Sequence, residues 1–243
     1  MNESPSRFRR ILLKLSGEAL MGDKAFGIDP DVLGKIASEV QAVHKRGVET
    51  AIVIGGGNIF RGINSAAFRM RRAPADNIGM LATVMNAIAM GEALNNLGLD
   101  AQVMSAIEMT KVTETFVAQR AIDYLKNKRV VLFAAGTGNP FFSTDTAATL
   151  RALEIGADAL LKATKVDGVY DADPVKEPSA RLFKTLTYKE YVERGLKVMD
   201  MTSITLAMGQ SLPVIVFSLR EQGNILKVVT EQGIGTLISG EKK

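Results

Sequence analysis

The sequence predicts an α/β fold: a mainly parallel sheet covered by helices on both faces, in one domain spanning residues 1–243. Two observations carry that reading. Short apolar runs alternate with helical patterns from end to end, and strands separated by helices require crossovers, which favour parallel pairing. No internal repeat, low-complexity tract or Pro/Gly/Ser-rich linker divides the chain. The turn-rich stretch from Thr164 to Arg181 is where two functional halves could hinge.

Taken in order, the apolar runs place strands at Ile11–Leu15, Thr50–Ile54, Ala101–Met104, Val130–Ala134, Ala159–Ala163, Val214–Phe217 and Thr236–Ile238. Between the first two lies a punctuated helix. Asp29 is its N-cap, Pro30 opens its first turn, Val32, Ile36, Val40 and Val43 share one face, and Lys45-Arg46-Gly47 close it. A second helix is expected over roughly Ile78–Leu97, with Leu81, Val84, Ile88 and Leu94 as its apolar stripe and Gly98 as its stop. Met80, Met85 and Met90 on the same segment suit core or subunit contact. Thr187-Tyr188-Lys189-Glu190 reads as a capping box, and Asn224 as the cap of the last helix.

Composition narrows the chemistry. There is no cysteine, which removes disulfides and thiolate catalysis and fits a cytoplasmic protein. Lys14 interrupts the N-terminal apolar run, so no signal peptide is expected, and nowhere do 18 apolar residues run unbroken, so no membrane span is expected. A net charge of +4 favours phosphate-bearing small molecules mildly and argues little for nucleic acid. The single histidine, His44, lies beside Lys45 and Arg46 on an amphipathic helix and is expected to be solvated. No Cys/His metal cluster and no Ser-His-Asp set can be assembled.

The ends of the strands carry the chemistry. The run Val130–Phe133 leads into Gly136-Thr137-Gly138-Asn139-Pro140-Phe141-Phe142-Ser143-Thr144-Asp145. Burial of the run fixes this loop at the strand's carboxyl end, where ligands of open α/β sheets collect. Its unhindered glycine amides, hydroxyls and one carboxylate suit a phosphorylated ligand. Asp145 is either an ordinary first-turn carboxylate or the organiser of nearby lysines. Lys14, inside an apolar strand and followed by Ser16-Gly17, costs desolvation unless an anion meets it; otherwise it faces water from an edge strand. Gly55-Gly56-Gly57 after a strand can form an anion nest, and Arg61 follows. That loop is neither a Walker A loop nor a GxGxxG with an acidic partner. Lys162-Ala163-Thr164-Lys165 ends another strand with cations, before a turn holding Tyr170 and Asp173. The basic run Arg69–Arg72 has one aromatic neighbour, Phe68, and reads as a solvated helix end or subunit contact before a nucleic-acid patch.

Together, Lys14-Leu-Ser-Gly17, Gly55-Gly-Gly-Asn58 with Phe60-Arg61-Gly62, Gly79-Met-Leu-Ala-Thr83, Gly136-Thr-Gly-Asn-Pro-Phe-Phe142 with Thr144-Asp145, and Lys162-Ala-Thr-Lys-Val-Asp-Gly-Val-Tyr170 resemble the bacterial uridylate (UMP) kinases of the amino acid kinase family, in order and spacing from about Arg10 to Ile238. The resemblance implies a three-layer αβα sandwich, transfer of the ATP γ-phosphoryl group to UMP with Mg²⁺, and a homohexamer. The N-terminal half would mainly bind UMP and carry oligomer contacts, and the C-terminal half would mainly bind ATP. It assigns Lys14, Leu15, Ser16 and Gly17 to the ATP phosphates, Gly57 and Arg61 to further ATP contacts, with Arg61 also among the catalytic cations beside Lys14 and Lys162, and Thr164, Lys165, Tyr170 and Asp173 to ATP binding, with Thr164, Tyr170 and Asp173 on the adenosine side. Gly56, the ribose acid Asp76, and the loop Thr137, Gly138, Asn139, Pro140, Phe141, Phe142, Ser143 and Thr144 fall to UMP. Asp145 is the carboxylate that organises the lysines; Lys162 and Lys165 compete for the second catalytic cation, with Lys162, on the strand, the first choice. No residue is assigned as a metal ligand.

Around the ribose acid this chain reads Ala75-Asp76-Asn77-Ile78-Gly79, with an amide where the family pattern has histidine. UTP inhibition is implied by the resemblance. The positions that tend to be basic in members activated by GTP are Gly91, Asn95 and Gln102 here, although Arg129 remains, so weak or altered GTP activation is expected. Two other readings compete: a nucleotide-responsive DNA-binding regulator acting through Arg69–Arg72, and a kinase of another family substrate, for which the Gly136–Thr144 loop supplies the wrong contacts.

Overall fold

A computed structural model describes residues 5–60 and 70–240. Nine strands form one sheet: β1 (Arg10–Leu15), β2 (Glu49–Ile54), β3 (Ala101–Ser105), β4 (Glu114–Thr115), β5 (Val130–Ala134), β6 (Ala159–Thr164), β7 (Thr185–Thr187), β8 (Val214–Ser218) and β9 (Thr236–Ser239), in the order β4-β3-β5-β2-β1-β6-β8-β9-β7. All neighbours are parallel except β8 and β9. The central strands are buried end to end, as expected when both faces of a parallel sheet are covered.

The helices are α1 (Pro30–His44), α2 (Arg72–Asn96), α3 (Ala118–Lys126), α4 (Thr144–Glu154), α5 (Tyr188–Glu193), α6 (Met201–Gly209) and α7 (Asn224–Thr230). They form two outer layers. Ile11, Leu13 and Leu15 of β1 pack with Ile36 and Val40 of α1, Val84 and Met90 of α2 and Val228 of α7. Leu12 joins Leu125 of α3, Ala152 of α4, Tyr191 of α5 and Ile204 of α6 on the other face. This is the three-layer αβα sandwich. Strand alternation then places Lys14 on the Leu12 face and Lys162 on the Leu160 face, the side that α4 covers.

Several expectations need correction. α2 begins at Arg72, earlier than Ile78, because Pro74 is tolerated within its first turn; its start was hidden because Arg71 provides no side-chain cap. Its stripe is also shifted. Val84 and Leu94 are buried, with Met80 and Met90, whereas Leu81, Met85 and Ile88 stand 49%, 56% and 40% exposed. α2 is long and apolar enough to pass as a membrane span by length and composition, but half of it is buried against the protein's own core. Gly223, with φ +87°, precedes α7; Asn224 is its first residue and its Nδ2 donates to the Ser218 carbonyl at 3.0 Å. His44 is partly buried, and desolvation with the charge of Lys128 lowers its pKa. The short edge strands β4 and β7 were too brief to show a pattern. The Asp29 cap, Pro30 and the Thr187/Glu190 capping box stand as expected.

Candidate active site

The site grows from the register of the sheet. Lys14 lies directly opposite Lys162 across the β1–β6 pair, and both side chains are nine-tenths buried. Two adjacent ammoniums on one desolvated face would repel strongly. Asp145 resolves this from the first turn of α4, with Oδ1 2.7 Å from Lys14 Nζ and Oδ2 2.5 Å from Lys162 Nζ. Lys162 also donates to the Val198 carbonyl. Burial alone would raise the Asp145 carboxyl, but the lysine charges overcome it and hold the group below its ordinary value. Burial and the charge of Lys14 lower Lys162 to about 8, with Asp145 opposing. Lys165 stands apart at the surface, 3.1 Å from Glu18.

α4 is aimed by its cap. Ser143 Oγ accepts from the amides of Asp145 at 3.0 Å and Thr146 at 3.2 Å, and donates to Asp200. Asp200 in turn accepts from Thr146 Oγ1 at 3.0 Å and caps α6 through the Ser203 amide at 2.9 Å. An Asp before a helical pattern is a legible cap; its link to Ser143 is not, being 57 residues distant in the chain.

The glycine loops meet without room to spare. A Cβ on Gly17 would collide with the Gly55 carbonyl and lie 2.5 Å from Asn58 Oδ1. One on Gly56 would lie 2.6 Å from the Gly79 carbonyl, and one on Gly55 3.4 Å from Thr144 Oγ1. Thus Gly17, the triple glycine, α2 and the start of α4 converge. Gly56, Gly57, Asp76, Gly136, Thr137, Phe142, Ser143 and Thr144 line a cavity of about 140 Å³. Asp76 accepts from Arg72 Nε at 2.7 Å and from the Phe141 amide at 2.7 Å. Phe141 has φ +72°, a left-handed conformation unusual for a bulky residue, and is 68% exposed. Gly138, with φ +80°, packs against Ala106, and Asn139 exchanges hydrogen bonds with Thr137. Pro140 is half-buried on the same loop.

On the other side of the lysines, Ser16, Thr164 and Lys165 line a cavity of about 620 Å³ together with Lys35, Glu39 and Arg220. The Leu15 side chain is in the core, leaving its backbone for ligands; the carbonyl already accepts from the Gly55 amide at 2.9 Å. Tyr170 bridges to Leu182, and Asp173 caps a turn at Val175 and faces Lys176. The structure therefore brings Lys14, Asp145 and Lys162 together, and sets Tyr170 and Asp173 on a separate turn. Arg61, and Arg69 of the basic run, lie outside the described residues. Among the described residues no group of three acidic, Cys or His side chains could hold a metal. Asn58 and Thr83 figured in the sequence only inside longer motifs, without a role, and Asn86 not at all, since their partners lie on distant loops and in each other.

Known proteins share this sequence and fold. The chain is 52% identical over 238 residues to a protein of Paramagnetospirillum magneticum named uridylate kinase, covering 98% of this chain and 99% of that one. Among solved structures, the UMP kinase of Bacillus anthracis superposes with a TM-score of 0.94 at 36% identity, over 97% of both chains. That of Ureaplasma parvum gives 0.91 at 34%, over 96% of this chain and 99% of that one. The uridylate kinase of Archaeoglobus fulgidus gives 0.74 at 27%, over 94% and 99%. The family model described as "Amino acid kinase family" matches residues 9–218, and the chain belongs to that family.

Proposed function

We propose that the chain transfers the γ-phosphoryl group of ATP to UMP, giving UDP and ADP, in pyrimidine nucleotide synthesis in the cytoplasm. The observation that carries this is the Lys14–Asp145–Lys162 group at the strand ends. A cavity lined by the neighbours of Asp145 lies on one side of it, and one lined by residues next to Lys14 and Lys162 on the other. Phosphoryl transfer asks a protein to align two anionic nucleotides and neutralise developing charge. An oxygen of the UMP phosphate attacks the γ-phosphorus, the bond to the β-phosphate oxygen breaks, and ADP leaves. The attacking oxygen is already ionised, so no general base is needed, in keeping with a half-buried His44 far along α1 from the strand ends. Lys14 and Lys162 neutralise the transferring group, Asp145 holds both in place, and the amides of Gly17 and Gly57 supply preorganised donors. Asp76 and the Thr137–Thr144 loop hold UMP; Ser16, Arg61, Thr164, Tyr170 and Asp173 serve ATP. These assignments cross the middle of the chain, since Ser16 and Arg61 precede it and the Thr137–Thr144 loop follows it. The protein offers no acidic cluster for a cation among its described residues, and Asp145 is taken by two ammoniums. We therefore assign Mg²⁺ to the nucleotide phosphates, where it supplies charge neutralisation.

The exposed residues Ile78, Leu81, Met85 and Ile88 fall at helical spacing on α2 and support a subunit contact in a homohexamer. UTP is proposed as an inhibitor on the resemblance to bacterial UMP kinases. A cavity of about 620 Å³ lined by Gly91, Asn95 and Gln102 also carries Glu92, Glu114, Lys111 and Arg120, with Arg120 already paired to Glu114 at 2.5 Å, while Arg129 is paired with Asp100 at 2.7 Å. That lining favours a weak GTP response.

The test is a panel of nucleoside monophosphates with ATP, read by product formation. UDP from UMP at a rate well above every other product is expected; preference for another nucleotide, or for a carboxylate or carbamate, overturns the assignment.

A further inference from the structure

α2 meets both nucleotide loops through two buried polar side chains one turn apart. Thr83 and Asn86 are 3% and 0% exposed. Thr83 Oγ1 accepts from the Ala135 amide at 2.8 Å while donating to Met80 of its own helix at 2.7 Å. Ala135 has φ +60°, a left-handed backbone that a residue with a Cβ adopts only when its surroundings impose it; it stands at the root of the Gly136–Thr144 loop. Asn86 Nδ2 donates to the Gly55 carbonyl at 2.7 Å and to Asn58 Oδ1 at 2.7 Å; Asn58 Nδ2 returns a bond to Asn86 Oδ1 at 2.9 Å and another to the Gly27 carbonyl at 3.0 Å. Gly17 packs directly on Gly55 and Asn58. A buried hydroxyl or amide on a helix normally settles its own helix or a neighbouring side chain. Here the outward bonds run to the backbone of the glycine loop and the strand-5 loop, and to Asn58 within the glycine loop.

We propose that Thr83 and Asn86 are positioning residues that set the spacing between the UMP loop and the phosphate-binding glycine loop, with α2 as the common ruler. This rests on the activity proposed above. The Thr83 hydroxyl bonds only the Ala135–Thr144 side, although Thr83 also lines the cavity beside Gly56; Asn86 governs Gly55–Asn58 and, through the Gly17 contact, the lysine-bearing strand end. The two side chains therefore have separable signatures. Losing the Thr83 hydroxyl releases the loop root and raises the KM for UMP selectively. Losing the Asn86 amide loosens the loops against each other and lowers kcat, because transfer depends on alignment of the two nucleotides.

The experiment compares Thr83→Val, Thr83→Ser and Asn86→Ala with the unaltered full-length protein, by initial-rate kinetics, thermal melting and hydrogen–deuterium exchange of the segments 54–60 and 134–144. Thr83→Val is expected to raise KM for UMP by roughly tenfold with KM for ATP unchanged, and to speed exchange in 134–144, whereas Thr83→Ser keeps the hydroxyl and restores both. Asn86→Ala is expected to lower kcat by roughly tenfold or more and to speed exchange in 54–60. A lowered melting temperature with kinetic constants and local exchange unchanged overturns the proposal, as does a Thr83→Ser variant as impaired as Thr83→Val. If the unaltered protein forms no UDP, the activity assignment fails, and the exchange data still decide whether these side chains hold the loops. Should Asn86→Ala not fold, the Thr83 pair decides alone.

Discussion

Lys14, Lys162 and Asp145 form a buried unit of two cations and one anion; removing one lysine leaves a neutral pair, whereas removing Asp145 leaves two buried cations without compensation. Lys14→Ala is expected to lower kcat by about 10²–10³-fold, the usual cost of deleting one preorganised charge donor; initial rates at saturating nucleotide check this, and unchanged turnover excludes the clamp role. Asp145→Asn keeps the shape but leaves two facing ammoniums. Breaking such a buried pair costs about 3–5 kcal/mol, which urea denaturation should reveal together with lost activity. Lys162 gives the sign of a pH effect. Its pKa in the folded chain, about 8, lies below its ordinary 10.5. The unfolded chain therefore holds that proton to higher pH, and the Lys162 contribution to stability rises between about pH 8 and 10.5. Activity goes the other way, since the charged form serves transfer: kcat/KM should fall on the alkaline side with an apparent pKa near 8, and Lys162→Arg should remove that limb. An alkaline limb unchanged in Lys162→Arg assigns it to another group. The lysines themselves were legible as cations ending apolar strands. That they face each other was not, because the β1–β6 register joins residues far apart in the chain.

At the scale of elements, seven of the nine strands were legible to within a residue, since burial writes the central ones as apolar runs, while the short edge strands β4 and β7 carried no pattern. α1 was legible because Asp29 and Pro30 mark its start. α2 was not, for two reasons. Its uncapped beginning carries no Ser, Thr, Asp or Asn signal, and it has apolar residues on more than one side, so the pattern alone does not say which stripe is core. The structure separates them: Val84, Met90 and Leu94 inside, Leu81, Met85 and Ile88 outside. Met85→Glu should leave the fold intact and shift the sedimentation coefficient toward smaller species, because a buried interfacial charge without a partner is costly; an unshifted assembly removes this face from the subunit contact. Gly17→Ala is the complementary probe of the loops. Its methyl has no space beside Gly55 and Asn58, so nucleotide affinity should fall in equilibrium titrations even where folding survives.

For the whole molecule, family membership and the αβα architecture place the lysine cluster, the two flanking cavities and α2 in one assembly. Adding GTP to the assay is expected to change the initial rate little; several-fold stimulation at micromolar GTP refutes the weak response argued from Gly91, Asn95 and Gln102. The molecule also divides its labour between sheet and loops in a way no local pattern revealed. Lys14 and Lys162 are mounted on hydrogen-bonded central strands, whereas most groups assigned to nucleotide recognition, Asp76 of α2 and Thr164 of β6 apart, sit on turns such as the one that bends at Phe141. Warming loosens turns well before it separates a nine-stranded ladder. Capture of substrate should thus fade at temperatures where the reactive charges remain in register, so that the enzyme grows hungry before it grows slow.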